Sequence, residues 1–481
     1  MTATKRQGLR EVLTAMGSVG GVVRVTREVE PTIEIPSVMR GLAKLDPIPT
    51  LLFENIKGFP GVKGCAALFS DKPRMLRALG LPVPQVELNE TLLQALDRPL
   101  PPMHVDQAPC KENIQRGSID VSKLIFATRG ASQSNHLYYQ PIIFTRHPKT
   151  GKINVGQYRV SLQEPGRVTI NLRVTQHGGL QLQAAKEMGV PLQVAVCIGV
   201  PPALYVAASS QQTYGYEEVG FAGALIGEPI EMVRAETVDL DVPAYAEVVI
   251  EGEIRPPYEL GSEGPWPEYL GYLGMNIHPP LMDITAVTFR NNPINVVFTP
   301  GAIPEPVPLA SEAQLLRHLR ALGGEFVVDV ALTPGARRHH AVVKVKKIHP
   351  HHEGFQINIA LEAFGLGSAS ALDTVTLVDQ DIDIRDYRQI DWAVATRCNP
   401  ARQVHILPEA RCHQNNPIAG VRELLNEPVV KAKMIIDATI PWNYRMAEVK
   451  PGITFFTKST WPDVDIRDYL SAEDSKKWVD D

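Results

Sequence analysis

The sequence predicts a mixed α/β protein with a strand-rich centre. Three observations indicate this class. Residues 1–125 alternate helical and strand patterns, residues 126–305 are dominated by strand patterns separated by turn residues, and the alternation returns over 306–455. A chain of 481 residues exceeds what one hydrophobic core normally fills, so two or three domains are expected.

The first part contains "LREVLTAM", "VVRVTREV", "IPSVMRGLAKL", "TLLFENI" and "RMLRALG", which together are typical of an α/β module. The middle part contains the strand patterns "VGQYRVSL", "RVTINLRV", "LQVAVCIGV", "EVVIEGEI" and "DITAVTFR", with one helix at "GLQLQAAKEMG". This pattern predicts a β-barrel or a sandwich with an inserted helix.

The third part predicts a helix at "SEAQLLRHLRAL", strands at "EFVVDVAL" and "AVVKVKKI", a helix at "FQINIALEAF", a strand at "TVTLVDQDIDI", a helix at "YRQIDWAVATR" and a strand at "QVHIL". Residues 456–481 predict a charged amphipathic helix that docks on a neighbouring subunit. Five histidines in "RRHHAVVKVKKIHPHHEG" are predicted to be solvated strand ends and a turn: His339, His340, His349, His351 and His352.

Composition narrows the class of protein further. The chain is 44% hydrophobic and 21% charged, and its net charge is -5, as in an ordinary soluble globular protein. Scattered basic residues that are outnumbered by acidic ones do not favour nucleic-acid binding. The five cysteines form no CxxC pair, which indicates neither a zinc knuckle nor a disulfide framework and fits a reducing cytoplasm. The sequence predicts no signal peptide and no membrane span.

Two segments carry polar groups that could bind an anion or a cation. In "INVGQYRV", strand periodicity places Asn154 on one face and Arg159 on the other, although a strand arginine paired with a surface acid is an equally ordinary explanation. In "TQHGG", Gln176 and His177 precede two glycines at the start of the inserted helix. Backbone amides at such a turn can approach a phosphate, and a histidine there can bind a metal; the alternative is a simple turn residue.

Two further segments carry carboxylates beside apolar residues. In "GYEEVGFAGALIGEP", Glu217 and Glu218 run into an apolar stretch, so at least one of them is predicted to face a cavity. In "YELGSEGPWPEYLGYLG", Glu263 and Glu268 lie in an irregular loop. The aromatic residues of this loop, which are Trp266, Tyr269 and Tyr272, would desolvate an acid and raise its pKa, as a general acid requires. A rigid connecting loop with exposed acids is the alternative.

Asparagine, histidine and glutamate donors suit a hard cation such as Mn²⁺ or Mg²⁺. Such a cation beside a glycine turn that can accept a phosphate suggests a phosphorylated cofactor.

The segments "NVGQYR", "QHGG", "EEVGFAGALIGEP" and "SEGPWPEYLGY", in this order and at these spacings, resemble the UbiD family of reversible decarboxylases that use prenylated FMN. The similarity extends to "LLFENIKGFP" and to "VTLVDQDIDIRDYRQIDWAVATRCNP", and thus covers nearly the whole chain. It implies a central split β-barrel like that of flavin reductases over 126–305, α/β regions over 1–125 and 306–455, and a C-terminal helix that reaches a partner subunit.

The resemblance also implies roles for individual residues. Metal ligands would be Asn154, His177 and Glu218; the catalytic triad would be Arg159, Glu263 and Glu268; further cofactor contacts would be Gln157, Tyr158, Gln176 and Gly178. A potassium ion would lie near the carbonyls of residues 207–209. Where the ubiquinone-pathway branch is expected to have arginine, this chain has His177, which is more similar to decarboxylases of cinnamic and related small acids.

The implied reaction is the non-oxidative, reversible decarboxylation of an α,β-unsaturated or (hetero)aromatic acid, with Glu268 protonating the carbon and prenylated FMN accepting the electrons. A flavin prenyltransferase would supply the cofactor, and the protein would be a homodimer or homohexamer. Two alternatives are a flavin oxidoreductase that uses plain FMN and an accessory subunit of a multi-subunit carboxylase. The sequence identifies neither the substrate nor the physiological direction.

Overall fold

The computed structural model describes residues 6–45, 47–117, 119–129, 138–174, 176–210, 212–266, 268–274, 277–298, 307–365, 371–413, 415–425, 427–444 and 464–473, together with residues 456, 462 and 475. The helices are α1 Leu9–Gly17, α2 Glu34–Leu42, α3 Lys72–Leu79, α4 Gln85–Asp97, α5 His177–Met188, α6 Pro202–Ala208, α7 Glu218–Ile226, α8 Val307–Gly323, α9 Phe355–Gly365, α10 Tyr387–Arg397, α11 Pro400–Gln403 and α12 Pro417–Leu424.

The strands are β1 Val22–Val25, β2 Thr50–Phe53, β3 Lys63–Ala66, β4 Met103–His104, β5 Asn113–Arg116, β6 Tyr138–Tyr139, β7 Ile142–Arg146, β8 Ile153–Gln157, β9 Val160–Leu162, β10 Arg167–Ile170, β11 Leu192–Ile198, β12 Glu231–Arg234, β13 Asp241–Pro243, β14 Val248–Ile254, β15 Leu281–Phe289, β16 Ile294–Val297, β17 Val327–Leu332, β18 His340–Val345, β19 Thr374–Asp379, β20 Val404–Arg411 and β21 Val430–Ala438.

The central region is an antiparallel half-barrel with the strand order β6-β9-β10-β15-β14-β11-β7-β8, and β5 also pairs with β15. The strands β11 and β14 are nearly continuous runs of buried residues, since one face packs on the barrel interior and the other on α6 and α7. This sheet confirms the predicted fold class.

The two flanking regions each contain a mixed sheet. The N-terminal sheet has the order β1-β2-β3-β16, and the C-terminal sheet has the order β17-β18-β19-β21-β20 with apolar clusters on both faces. Because β5 joins the half-barrel and β16 joins the N-terminal sheet, strands cross over at both ends of the central region. The predicted division at residues 125, 305 and 455 stays a prediction.

The predicted helices and strands of the third part are found, but the middle part contains more helix than the sequence pattern indicated. Only α5 was predicted there, whereas α6 and the apolar stretch of α7 are also helical. Glycines in the α7 stretch obscured a helix that tertiary packing stabilises.

The predicted tail helix over 456–481 lies mostly outside the described residues, and within them Ile466–Tyr469 form a short 3₁₀ turn. Among the described residues, no helix is long and apolar enough to cross a membrane.

Candidate active site

The strand β8 lies at one edge of the half-barrel and ends at Gln157. The predicted arrangement of Asn154 and Arg159 on opposite faces of one strand is therefore wrong. The next strand, β9, pairs with β6 and β10 near the opposite edge of the sheet, so the chain must leave β8 to reach it. Tyr158 and Arg159 lie in this link, and Arg159 is positioned by the link instead of by strand periodicity.

The buried hydroxyl of Tyr158 joins β8 to the start of α5. It accepts hydrogen bonds from Asn154 Nδ2 at 3.2 Å and from the backbone N–H of Gly178 at 3.1 Å. Asn154 Nδ2 also donates to Thr145 Oγ1 at 3.2 Å. Because both amide hydrogens of Asn154 are engaged in this way, its Oδ1 is the atom suited to bind a cation.

His177 and Glu218 are the first residues of α5 and α7, and both helices pack against β8. Burial lowers the pKa of His177, which favours the neutral imidazole that metals bind. Burial raises the pKa of Glu218 to about 8, against the lowering effect of nearby backbone N–H groups that include that of Val155. Glu217 is exposed, so only the second glutamate of the pair faces the interior.

We call Asn154, His177 and Glu218 the cation site. Among the described residues, no group of three or more His, Cys, Asp and Glu side chains could hold a metal, and the predicted set differs from such a group because it includes the amide of Asn154. This metal site stays a prediction. An amide oxygen, a neutral imidazole and a carboxylate fit Mn²⁺ or Mg²⁺. Burial disfavours the ionised form of Glu218, and a bound cation would offset that cost.

The glycines after His177 let the start of α5 lie close to the backbone of Arg173, in the segment that precedes this helix. A side chain on Gly179 would place its Cβ 1.8 Å from the carbonyl oxygen of Arg173. With two helix N-termini directed at β8, this end of the half-barrel is suited to bind a phosphate. Gln176 itself turns back, and its Oε1 accepts a hydrogen bond from the backbone N–H of Arg173 at 3.2 Å.

Arg159, Glu263 and Glu268 form a second cluster, which we call the acid site. Arg159 Nε donates to Glu263 Oε1 in an ion pair whose carboxylate is fully buried. Glu263 is fixed by a two-way backbone pairing with Ile277 at 3.0 and 2.8 Å. Arg159 Nη1 lies 3.8 Å from Glu268 Oε1, so a single guanidinium faces both glutamates.

Glu268 has the environment expected of a general acid. Burial raises its pKa, and this effect outweighs the lowering effect of Arg159, Arg173 and a hydrogen bond from Asn415. Asn415 Nδ2 donates to Glu268 Oε2 at 2.6 Å, and Arg173 Nη2 lies 3.8 Å from Glu268 Oε1. One carboxylate oxygen of Glu268 therefore accepts a hydrogen bond, and the other lies within ion-pair distance of two arginines.

Of the three aromatic residues predicted to desolvate an acid in this loop, Trp266 is buried. The Arg159 guanidinium lies 4.5 Å from the centre of its ring, a cation–π contact that fixes the arginine from its face. Tyr269 instead turns toward the C-terminal region, where its hydroxyl lies 2.8 Å from His339 Nε2. Tyr272 is 61% exposed.

A cavity of about 640 Å³ opens beside the acid site. Glu268, Arg159, Arg173 and Asn415 contribute to its wall, which continues along α5 and α12. A small carboxylic acid fits this volume. The cavity thus lies between the half-barrel and the C-terminal region, and both regions supply its polar groups.

Sequence reasoning missed Arg173 and Asn415. Only Val174 separates Arg173 from "TQHGG", so Arg173 could have been considered with this motif, whereas "RCHQNNP" around Asn415 gives no signal. The prediction of solvated histidines is wrong for His339, which is 8% exposed, and right for the turn at His349 and His351.

The predicted potassium region lies at the end of α6. Here Ser209 Oγ lies 3.5 Å from Gln157 Oε1, and the carbonyl of Ala207 accepts hydrogen bonds from Ser210 N and Oγ at 3.0 and 2.6 Å. Gln157 Nε2 donates to the carbonyl of Gln140 at 3.4 Å. The potassium ion stays a prediction.

Comparison with known proteins defines the class. Three domains described as parts of 3-octaprenyl-4-hydroxybenzoate carboxy-lyase match the chain: the UbiD N-terminal domain at 13–96, the Rift-related domain at 103–303 and the C-terminal domain at 308–438. A phenolic acid decarboxylase of Bacillus subtilis is 29% identical, over 90% of this chain and 93% of its own. An uncharacterised protein of Archaeoglobus fulgidus is 31% identical, over 95% of each chain.

Solved structures agree. The UbiD-class enzyme HmfF of Pelotomaculum thermopropionicum, in complex with FMN, is 34% identical with a TM-score of 0.85, over 96% of this chain and 100% of its own. Its evolved dimeric form contains prenylated FMN and is 33% identical with a TM-score of 0.82, over 97% of this chain and 99% of its own. The 3,4-dihydroxybenzoic acid decarboxylase of Klebsiella pneumoniae is 27% identical with a TM-score of 0.85, over 97% of this chain and 99% of its own.

The fold and these matches define a carboxy-lyase that acts as a decarboxylase. The chain belongs to the UbiD family.

Proposed function

We propose that the protein catalyses the non-oxidative, reversible decarboxylation of an α,β-unsaturated or (hetero)aromatic carboxylic acid with prenylated FMN. The observation that carries this proposal is the acid site. One arginine lies between a fully buried, paired carboxylate and a second carboxylate whose pKa is raised by burial. Relatives that act on phenolic and dihydroxybenzoic acids support an aromatic substrate.

In this proposal Arg159 orients the substrate carboxylate, and Glu263 holds Arg159 in place through a charge-assisted hydrogen bond. The carbon–carbon bond to the carboxylate breaks and CO₂ leaves. The electron pair left on that carbon then takes a proton from Glu268, so that a carbon–hydrogen bond forms and Glu268 becomes a carboxylate. Glu268 regains a proton from water that enters through the cavity.

Prenylated FMN, when bound, would supply an electron sink for the electron pair that remains when CO₂ departs. Water cannot offer such a sink to an sp² carbon. FMN and prenylated FMN in the HmfF structures support a flavin here. Asn154, His177 and Glu218 would hold Mn²⁺ or Mg²⁺, and the cation would neutralise charge on the cofactor phosphate. The residues Gln157, Tyr158, Gln176 and Gly178 would contact the cofactor. A potassium ion would lie nearby.

We propose two partners. A flavin prenyltransferase must supply the cofactor, since prenylation of FMN is a separate reaction from decarboxylation. A second copy of the chain is proposed as the other partner, in a homodimer or homohexamer.

The test is mass spectrometry of the protein produced together with a flavin prenyltransferase, followed by CO₂ release from cinnamic, hydroxybenzoic, furoic and pyrrole carboxylic acids. We expect bound prenylated FMN and turnover on one of these classes. Bound FMN of unmodified mass with no CO₂ release from any of the acids would favour the flavin oxidoreductase alternative and contradict this proposal.

A further inference from the structure

Outside the cavity, a buried carboxylate accepts hydrogen bonds from four side chains. Asp373, just before β19, is 5% exposed. It accepts hydrogen bonds from His339 Nδ1 at 2.9 Å, Asn416 Nδ2 at 2.7 Å, Lys431 Nζ at 2.9 Å and Cys412 Sγ at 3.3 Å. Burial by itself would raise the pKa of Asp373, but the donors His339, Lys431 and Cys412 outweigh burial and lower this pKa to about 2. The carboxylate is thus ionised and fully engaged at neutral pH.

Two of these donors hold the turn that reaches the acid site. Cys412 and Asn416 lie on either side of Asn415, and Asn415 Nδ2 is the donor to Glu268 Oε2 at 2.6 Å. The backbone N–H of Asn415 also donates to His413 Nδ1 at 3.2 Å. Asp373 thus anchors the chain three residues before Asn415 and directly after it, while Arg173 Nη1 donates to Asn415 Oδ1 at 3.3 Å. Both contacts contribute to the position of Asn415 against Glu268.

A third donor reaches the acid site by another route. His339 donates through Nδ1 to Asp373 and lies 2.8 Å from the Tyr269 hydroxyl through Nε2. Tyr269 is the residue directly after Glu268, and its ring also stacks under Arg338, whose guanidinium lies 4.8 Å from the ring centre. The loop that carries Glu268 is thereby joined to the same carboxylate.

We propose that Asp373 is a positioning residue for Glu268, acting from the C-terminal region through Asn415 on one side and through His339 and Tyr269 on the other. This inference rests on the proposed role of Glu268 as the proton donor. Asp373 is not one of the residues that line the cavity.

The proposal predicts a change in the acidity of Glu268. Four groups face its carboxylate with positive charge or a hydrogen bond: Arg159, Arg173, Arg338 and Asn415. If Asp373 no longer held the turn, the carboxylate would lose the donor Asn415 and the anion would be less stable. The pKa of Glu268 would then rise by about one unit, the typical effect of one hydrogen bond to a charged group.

The experiment is an infrared titration of full-length protein, in which the carboxyl band of Glu268 is isolated by subtracting the spectrum of Glu268→Gln. Asp373→Asn keeps the side-chain shape but leaves one accepting oxygen for four donors. We expect its Glu268 pKa to rise as in Asn415→Ala, and the double variant to rise no further than Asn415→Ala alone, because the two residues act in series. Asp437→Asn, which alters another buried carboxylate on the neighbouring β21, is the matched control and should leave the titration unchanged.

An Asp373→Asn titration identical to that of the wild type, with a shift in Asn415→Ala, would overturn the proposal. If Asp373→Asn does not fold, Asn416→Ala removes the same anchor from the turn and should give the same shift; an unshifted titration there overturns the proposal equally. The proposed function is tested separately by turnover of Glu268→Gln. Normal turnover in that variant contradicts the role of Glu268 as proton donor, whatever the titration shows.

Discussion

The cation site and the acid site lie in the same region of the molecule but are built in different ways. All three residues of the cation site come from the central region, on one edge strand and the first residues of two helices that pack on it. The acid site is built from a link between strands and an irregular loop, and its acid is held by Asn415, which lies 147 residues further along the chain.

The difference indicates a division of labour. Regular elements hold the groups that would bind a cation and a phosphate, which must stay fixed throughout a catalytic cycle. Irregular segments and a second region of the chain hold Glu268, the proposed proton donor, which in that role would exchange its proton with water. Substitutions in the cation site should therefore reduce cofactor binding, whereas substitutions in the acid site should reduce turnover with the cofactor still bound.

The largest expected effect is in the acid site. Glu268→Gln removes the proposed proton donor while keeping the size of the side chain, so turnover should fall by about a thousandfold, within the usual range for a general acid. Flavin content, measured by absorbance, should stay at the wild-type level. Glu217→Gln is the matched control because Glu217 is exposed and outside the acid site. Turnover of Glu268→Gln near that of the control would contradict the assignment.

The cation site should show the opposite pattern. Glu218→Gln replaces the buried carboxylate with a neutral amide, and we expect the affinities for Mn²⁺ and for flavin to fall together, by at least about a hundredfold. Changing a group behind a metal ligand already costs about ten- to a hundredfold, and Glu218 is proposed as a ligand itself. Metal analysis and flavin absorbance after dialysis measure both. Treating the wild-type protein with a chelator should release flavin in the same way. Full flavin occupancy in metal-free Glu218→Gln would show that the two are not linked.

The same contrast explains what could be predicted from the sequence. Helices, strands and short motifs depend on neighbours in the chain, so the fold class was predictable. The clustering of Arg159 with Glu263, which lies 104 residues further along the chain, and with Glu268 was predictable only from the resemblance to the UbiD family. The end of β8 at Gln157 was not, because it depends on where β9 pairs across the half-barrel. Nor was the role of Asn415, because no local pattern marks a contact made by a distant turn.

His339 shows the limit in another form. Its position beside a second histidine and a strand favoured a solvated strand end, yet Asp373 and Tyr269 from two other segments bury and engage both of its ring nitrogens. The pattern of a single sequence indicates which face of a helix or strand is polar. It does not show which polar groups from distant segments form hydrogen bonds with that face.

A smaller effect is expected at Trp266, which bears on the acid site alone. Trp266→Leu removes the ring under Arg159 and should lower turnover by about tenfold, since a desolvated cation–π contact is worth about 1–2 kcal/mol. Trp266→Phe keeps an aromatic face and should retain most of the activity. Comparing kcat and flavin content of the two variants tests this, and equal activity of the leucine and phenylalanine variants would show that the contact does not position Arg159.

The last prediction concerns stability instead of turnover, at the turn that carries Asn415. Burial, together with Arg338 and Arg173, lowers the pKa of His413 to about 3, whereas the unfolded chain binds that proton near pH 6.5. The folded protein therefore loses stability as the pH falls from about 6.5 toward 3, by at most about 1.4 kcal/mol per pH unit from this residue.

The variant His413→Gln keeps an acceptor for the backbone N–H of Asn415 but does not titrate, so the stability of this variant should fall less steeply over the same pH range. Denaturant unfolding of the wild type, His413→Gln and the exposed control His351→Gln between pH 4.5 and 7 measures the difference. Parallel curves for the wild type and His413→Gln would mean that His413 is protonated as readily in the folded protein as in the unfolded chain.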